Sequence, residues 1–209
     1  MVQGSFLSAP EEIFPDLWLL PQFTSARDLW DDLQQVVAQA PFRHMMTHTG
    51  HATAAAMTNC GAVGWTSEAG GYFYRDRDPQ TGKPWPAIPQ KWRELAQQVA
   101  SIAGYTDYDP DICLVNRYAV GAGMGRHVDN SERDFTQPIV SVSLGLPTGF
   151  AWWGAKPSGS GQNLLLQDGD VLVWGRSARL GYHAVRPLPD GVHPLCGSFR
   201  YNLTFRRAC

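Results

Sequence analysis

Long hydrophobic runs, lysine, paired cysteines and an excess of charge of either sign are all scarce in this 209-residue sequence. The longest apolar stretch near the N-terminus, around residues 14–20, is broken by Pro15 and Asp16, so neither a signal peptide nor a spanning helix is expected. The four cysteines, Cys60, Cys113, Cys196 and Cys209, include no CxxC pair. That argues against a disulfide framework or a structural zinc site and for reduced thiols in the cytoplasm. A net charge of −2 excludes a general attraction to polyanions, so any contact with nucleic acid has to be local. Lysine is the scarcest charged residue: three Lys stand against fourteen Arg, and Arg is the side chain suited to bidentate carboxylate or phosphate recognition. No internal repeat, linker or heptad is visible, which predicts one domain and a monomer.

What is abundant is turn formers and rings: 21 Gly, 15 Pro and eight Trp, a composition of strands and turns rather than of a helix bundle. Two segments have helical period. One runs over 25–40, with Leu29, Leu33, Val36 and Val37 apolar, Thr24 or Ser25 as cap and Pro41 as stop. The other lies between Pro89 and Gly104, with Trp92, Leu95, Val99 and Ile102 on one stripe. Between them, residues 52–88 read as short extended pieces and turns that carry function. After Asp111 come seven short β-rich runs, at 112–119, 139–146, 150–154, 164–167, 170–175, 180–186 and 199–206, which predict a sandwich or barrel. The Gln-Asp-Gly-Asp tetrapeptide at 167–170 reads as a hairpin in which Asp168 and Asp170 serve the turn and not a metal. Residues 158–161 read as another hairpin tip, and the acidic clusters Asp76/Asp78 and Asp107/Asp109/Asp111 as solvated turns.

His127-Val128-Asp129 places an imidazole and a carboxylate two residues apart on one face of an extended segment. With His183, 56 residues later, the set matches the facial triad of Fe(II) sites, with three adjacent positions open; the dipeptide spacing alone is equally that of a surface pair. In Arg200-Tyr201-Asn202-Leu203-Thr204-Phe205-Arg206, alternation puts Arg200, Asn202, Thr204 and Arg206 on one face and the apolar residues on the other. If the polar face looks inward, two buried arginines require an anionic partner, and a dicarboxylate supplies it. If it looks outward, the segment is an ordinary edge strand. Asn116 and Tyr118 share a face just before the bend at Gly121, Gly123 and Gly125.

His127-x-Asp129, His183 and RYNLTFR at 200–206, together with MTNCGAVGWTS at 57–67, GYFY at 71–74, DPQTGKPWPAIP at 78–89, NRYAVGA at 116–122 and PIVSVSLGLP at 138–147, resemble the AlkB family of Fe(II)/2-oxoglutarate dioxygenases, particularly its bacterial DNA-repair members. The resemblance covers about residues 35–207. It implies a mainly β fold, a double-stranded β-helix or jelly roll with flanking helices and a nucleotide-recognition lid. The corresponding division is 1–40 as N-terminal extension and helix, 41–110 as lid and second helix, and 111–209 as catalytic core. It implies His127, Asp129 and His183 as iron ligands and Asn116, Tyr118, Arg200, Asn202 and Arg206 as 2-oxoglutarate contacts. Trp65, Tyr72, Tyr74 and Ser131 fall on the substrate side, Trp65 as the ring that stacks a flipped base against His127 and the two tyrosines near the substrate backbone.

The implied reaction is oxidative demethylation of N1-methyladenine and N3-methylcytosine in DNA, with O2 consumed, 2-oxoglutarate decarboxylated to succinate and formaldehyde released. Both lesions are cationic, which a tryptophan face favours by about 0.5–2 kcal/mol. Two departures stand out: Asn130-Ser131 replaces the family's Lys-Asp, which alters the expected base preference, and the 155–161 hairpin keeps only Lys156 of a basic cluster. Weaker or differently placed DNA binding follows, with Arg75, Arg77 and Arg126 as local replacements. The same chemistry on RNA, and a catalytically silent jelly roll that binds single strands through Trp65, Tyr72 and Tyr74, are the competing readings.

Overall fold

The computed structural model describes residues 9–47, 49–156 and 158–209. In chain order the elements are β1 (Glu11–Phe14), β2 (Leu17–Leu20), α1 (Ala26–Gln39), β3 (Ala56–Gly61), β4 (Gly64–Glu68), β5 (Gly71–Arg75), α2 (Gln90–Ile102), β6 (Ile112–Ala119), β7 (Met124–His127), β8 (Ile139–Gly145), β9 (Thr148–Gly154), β10 (Gln162–Leu166), β11 (Val171–Trp174), β12 (Tyr182–Val185) and β13 (Phe199–Arg206). Seven strands in the order β1-β2-β11-β8-β13-β6-β3 form the larger sheet, β10-β9-β12-β7 the smaller, and β4-β5 a separate hairpin. From β6 to β13 the chain passes back and forth between the two larger sheets, breaking the alternation only at the β9–β10 hairpin. This is the jelly roll that the AlkB resemblance implies, and it accommodates the seven runs read as a sandwich or barrel. No described helix is long and apolar enough to cross a membrane.

The two helices form where the apolar period predicts. Ser25 caps α1, its side chain accepting from the Asp28 N–H at 3.3 Å, and Leu29, Leu33 and Val36 face the core. On α2, Trp92, Ala96, Val99 and Ala100 are buried. Both stripes cover the outer face of the larger sheet, where Tyr201, Leu203 and Phe205 of β13 meet them. Trp92 packs edge-on to Phe205 with ring centroids 6.4 Å apart. The apolar half of RYNLTFR is therefore consumed by the helices, and the polar half is turned between the sheets.

Three expectations need correction. The 167–170 turn joins no hairpin: β10 pairs with β9, whereas β11 pairs with β2 and β8, so the turn is a corner between sheets. The reason lies in β11, whose four residues are all buried and require neighbours on both sides. Asp168 and Asp170 hold that corner, accepting from the backbone N–H groups of Ala26, Gly145, Gln22 and Gln167. Gly169 has φ +86°, and a Cβ there would overlap the Thr24 carbonyl. The reading of Asp78 as solvated also fails; it is 3% exposed and ion-paired with Arg43 at 2.8 Å. Asp111 likewise accepts from the Ala208 and Cys209 N–H groups rather than facing only water.

The N-terminal segment contributes β1 and β2 to one edge of the larger sheet, and β3, from the segment read as lid, forms the other. The cysteines are free, three of them buried and Cys209 exposed. The 158–161 tip does close the β9–β10 hairpin, although Pro157 beside it lies outside the described residues.

Candidate active site

β7 and β12 lie side by side with His127 and His183 directly opposite in register. The ring centroids are 4.3 Å apart. Each ring has its Nδ1 on a backbone carbonyl two residues back, Gly125 O at 2.8 Å for His127 and Gly181 O at 2.9 Å for His183. A carbonyl only accepts, so each Nδ1 carries a hydrogen, which makes Nε2 the ligand nitrogen of each ring. Asp129, just past the end of β7, sets its carboxylate 3.8 Å from both Nε2 atoms. The three ligand atoms lie within 4.8 Å of one another.

Protonation states suit metal binding. His183 is packed among Phe150, Trp152 and Trp174, and burial, reinforced by repulsion from His127, pushes its pKa down to about 4. Burial works against ionisation of Asp129. The Arg206 guanidinium beside it, helped by His183, His127 and Arg179, more than offsets this and holds the carboxyl well below its ordinary range. Two imidazoles and one carboxylate on one side of a cavity form a donor set for Fe(II) that leaves the opposite side open.

That cavity, about 240 Å³, runs from the three ligands to β6 and β13. Arg200 at its far wall is 1% exposed. Its Nη2 donates to Ser143 Oγ at 2.9 Å, while Nε and Nη1 are buried without partners. Among the described residues no carboxylate forms an ion pair with it, and burial lowers its pKa. A buried cation with open donors fits a carboxylate ligand. Asn116 leaves its Oδ1 unpartnered, and Tyr118, raised to about 12 by burial, lies under Arg200 with the ring centroid 5.3 Å from Cζ. Asn202 lines the same wall, but its amide is committed to Ser141 Oγ and Val142 O, and its Oδ1 accepts from Thr204.

The model of the 2OG-Fe(II) oxygenase superfamily matches residues 16–206. The alpha-ketoglutarate-dependent dioxygenase AlkB of Escherichia coli K12 is 52% identical over 186 residues, 89% of this chain and 86% of the relative. The chain belongs to the AlkB family of 2OG-Fe(II) dioxygenases. A more distant relative, the human nucleic acid dioxygenase ALKBH1, is 30% identical over 122 residues, 57% of this chain and 31% of that protein. In fold, the solved structure of OsALKBH1 superposes with a TM-score of 0.80 at 24% identity, covering 95% of this chain and all of that one. Membership in the AlkB family makes this an enzyme that uses Fe(II), 2-oxoglutarate and O2. The donor set and the unpartnered Arg200 suit iron and a dicarboxylate, respectively.

The remaining predicted residues of this AlkB-family enzyme are distributed unevenly. Trp65 and Tyr72 stack on each other, centroids 5.3 Å apart and planes 23° apart, and both border the cavity, as does Ser131. Tyr74 does not join them. Its hydroxyl is turned inward, donating to Glu132 Oε1 at 2.5 Å and accepting from Arg206 at 3.4 Å, and burial raises its pKa. Arg206 borders the cavity too and is ion-paired with Asp129 Oδ2 at 2.7 Å and Glu132 Oε1 at 3.5 Å, while its Nε makes no hydrogen bond. Among the candidate phosphate contacts, Arg75 is ion-paired with Glu68 and Arg77 donates to Gly82 O.

Sequence reasoning missed Glu132 and Arg179. Glu132 bridges Tyr74, Arg206 and Arg179, the last at 3.0 Å. Arg179 also donates to the Asp129 carbonyl at 2.8 Å and to Gln137 O at 3.1 Å, so it ties down the irregular segment carrying Asp129. Glu132 follows Ser131 in a loop-like string with no periodicity, which left it without a signal.

Proposed function

We propose that this enzyme oxidatively demethylates N-alkylated bases in DNA, with N1-methyladenine and N3-methylcytosine as its lesions. One observation carries the reading: a His-Asp-His cluster and a buried arginine with open donors face each other across a single cavity roofed by stacked aromatic rings. A relative named as a nucleic acid dioxygenase supports the substrate class.

His127, Asp129 and His183 would hold Fe(II), the Nδ1 hydrogens of the two histidines directed at Gly125 O and Gly181 O so that the Nε2 atoms face the metal. Arg200 would take a carboxylate of 2-oxoglutarate, with Tyr118 beneath it and Asn116 and Asn202 on the same wall. Arg206 has a positioning role, fixing the Asp129 carboxylate from behind. The bound iron, with 2-oxoglutarate and O2, supplies the oxidising power: 2-oxoglutarate leaves as succinate and CO2, and the hydroxylated N-methyl group departs as formaldehyde.

The β4–β5 hairpin serves as the nucleotide-recognition lid. Trp65 and Tyr72 offer their faces to a flipped, cationic base, an interaction of roughly 0.5–2 kcal/mol beyond ordinary stacking. Ser131 contributes a hydroxyl at the cavity wall. Tyr74 fastens the lid to the core through Glu132.

The test is formaldehyde release from a single-stranded oligonucleotide bearing N1-methyladenine. Release is expected only when Fe(II) and 2-oxoglutarate are both present. Protein that binds Mn(II) in the same cluster yet releases no formaldehyde from either methylated base would refute the proposal.

A further inference from the structure

β7, β12 and β9 are consecutive neighbours in the smaller sheet, with β7 at its edge. Gly125 and His127 border the cavity, so Arg126 between them projects from the opposite, outer face. Val185 borders the cavity as well, and Arg186 follows it. On β9, Trp152 packs in the core between the sheets, which leaves Trp153 outside. These three outer side chains converge: Arg126 Cζ lies 5.4 Å, and Arg186 Cζ 5.9 Å, from the Trp153 ring centroid.

The surrounding chain is built to hold them. The Trp153 indole N–H donates to Gly159 O at 3.1 Å, anchoring the ring to the β9–β10 hairpin. A Cβ at Gly161 would come within 2.5 Å of the Trp153 ring, and one at Gly149 within 2.8 Å of Arg186 Cγ. Glycine at both positions clears room for the indole and the arginine. Asn163 Oδ1 accepts from Arg186 Nε and Nη2 at 3.2 and 3.0 Å, and among the described residues Arg186 forms no salt bridge. Two guanidiniums gathered on one ring set their N–H donors side by side, a geometry that suits an anion lying across them.

We infer that Arg126, Trp153 and Arg186 form a strip that contacts the phosphodiester backbone of the substrate nucleic acid. The inference rests on the substrate class proposed above. Its location explains how the hairpin at 155–161 manages with Lys156 as its sole charge: the cationic contact has moved one strand inward, onto the sheet beside the metal cluster. The bidentate donors of arginine and the flat indole suit phosphate and sugar, not a particular base, so the strip adds affinity without sequence preference.

The experiment measures binding of the Mn(II)- and 2-oxoglutarate-loaded enzyme to a fluorescent single-stranded oligonucleotide over a fourfold range of salt. Removing one cation from a phosphate lowers the slope of log K against log salt by about 0.7. The double variant Arg126→Gln/Arg186→Gln is expected to drop by about 1.4 in slope, so its affinity falls about sevenfold less than that of the wild type across the range. Arg126→Lys/Arg186→Lys should keep the wild-type slope, and so should Arg27→Gln, which removes one exposed charge on α1. Should the double Gln variant not fold, each single variant should drop by about 0.7. A Gln variant whose slope equals that of Arg27→Gln overturns the inference. Formaldehyde release by the wild type is scored separately, so failure of the demethylase reading is distinguishable from failure of the strip.

Discussion

Replacing Arg200 with methionine should make the ligand-free enzyme more stable and 2-oxoglutarate nearly inert toward it. Arg200 is 1% exposed, donates to Ser143 and interacts with Tyr118, and no carboxylate among the described residues pairs with it. Exchanging buried charged groups for an apolar side chain of similar volume is commonly stabilising by about 1–4 kcal/mol, and freeing the Ser143 hydroxyl subtracts about 1 kcal/mol. A net gain of about 2 kcal/mol corresponds to a rise in Tm of roughly 4–8 °C for a chain of this length.

On the ligand side, two charge-assisted hydrogen bonds at about 1.5 kcal/mol each or more put the loss at no less than about 3 kcal/mol, or at least about a hundredfold in Kd. Thermal unfolding of the Mn(II)-loaded enzyme reads both effects. With 2-oxoglutarate at about a hundred times the wild-type Kd, the wild type gains about 2.7 kcal/mol and the variant about 0.4 kcal/mol or less. A variant that loses several degrees without ligand, or one that keeps the full ligand-induced shift, refutes the assignment of Arg200 as the carboxylate anchor.

Asp78 is buried, and although burial opposes its ionisation, hydrogen bonds from Arg43 and the Gln80 N–H hold its pKa below the ordinary carboxyl value. A carboxyl depressed in the folded state stabilises above its unfolded pKa, and that stability disappears as pH falls through the folded value. Asp78→Asn should therefore cost about 2 kcal/mol or more at pH 7, with the difference from wild type shrinking below about pH 4, as measured by urea unfolding at several pH values. Glu132→Gln strips the charge that balances Arg179 and Arg206 in the interior; a loss of about 3 kcal/mol, roughly 6–12 °C in Tm by calorimetry, is expected, and a change within about 1 °C would show the network to be dispensable. Trp65→Ala should raise KM for a methylated oligonucleotide about tenfold or more in a formaldehyde assay, since base stacking contributes about 1–3 kcal/mol, and an unchanged KM would remove Trp65 from the substrate site.

Where local pattern decides the structure, the sequence was readable. The apolar stripes of α1 and α2 gave their limits within a residue or two, because period and punctuation at Pro41, Pro89 and Gly104 act within a single turn. The seven β runs were legible for the same reason. Pairing was not, because a strand's partner is chosen by burial on both faces and not by its nearest turn. The 167–170 segment has the composition of a hairpin, yet β11 is central in the larger sheet and β10 sits at the edge of the smaller. Asp78 was misread similarly: its partner Arg43 is 35 residues away, and no local rule distinguishes a carboxylate that meets water from one that meets a distant guanidinium.

The active site divides along the same line. Alternation along RYNLTFR places Arg200 and Arg206 on one face as equals, and in the fold both are buried. They differ in their surroundings because Glu132, from a segment with no pattern of its own, reaches one and not the other. Glu132 and Asp129 pair with Arg206, Arg179 balances Glu132 in turn, and Tyr74 caps the set, so the charges here are compensated within the protein although Arg206 Nε makes no hydrogen bond. Arg200, six residues earlier on the same strand, meets no carboxylate among the described residues, and its Nε and Nη1 face the cavity side of the strand without a carboxylate partner. With Arg200 as the proposed carboxylate anchor, selectivity for a dicarboxylate arises as much from the carboxylates that pair with Arg206 as from the guanidinium that none of them reaches.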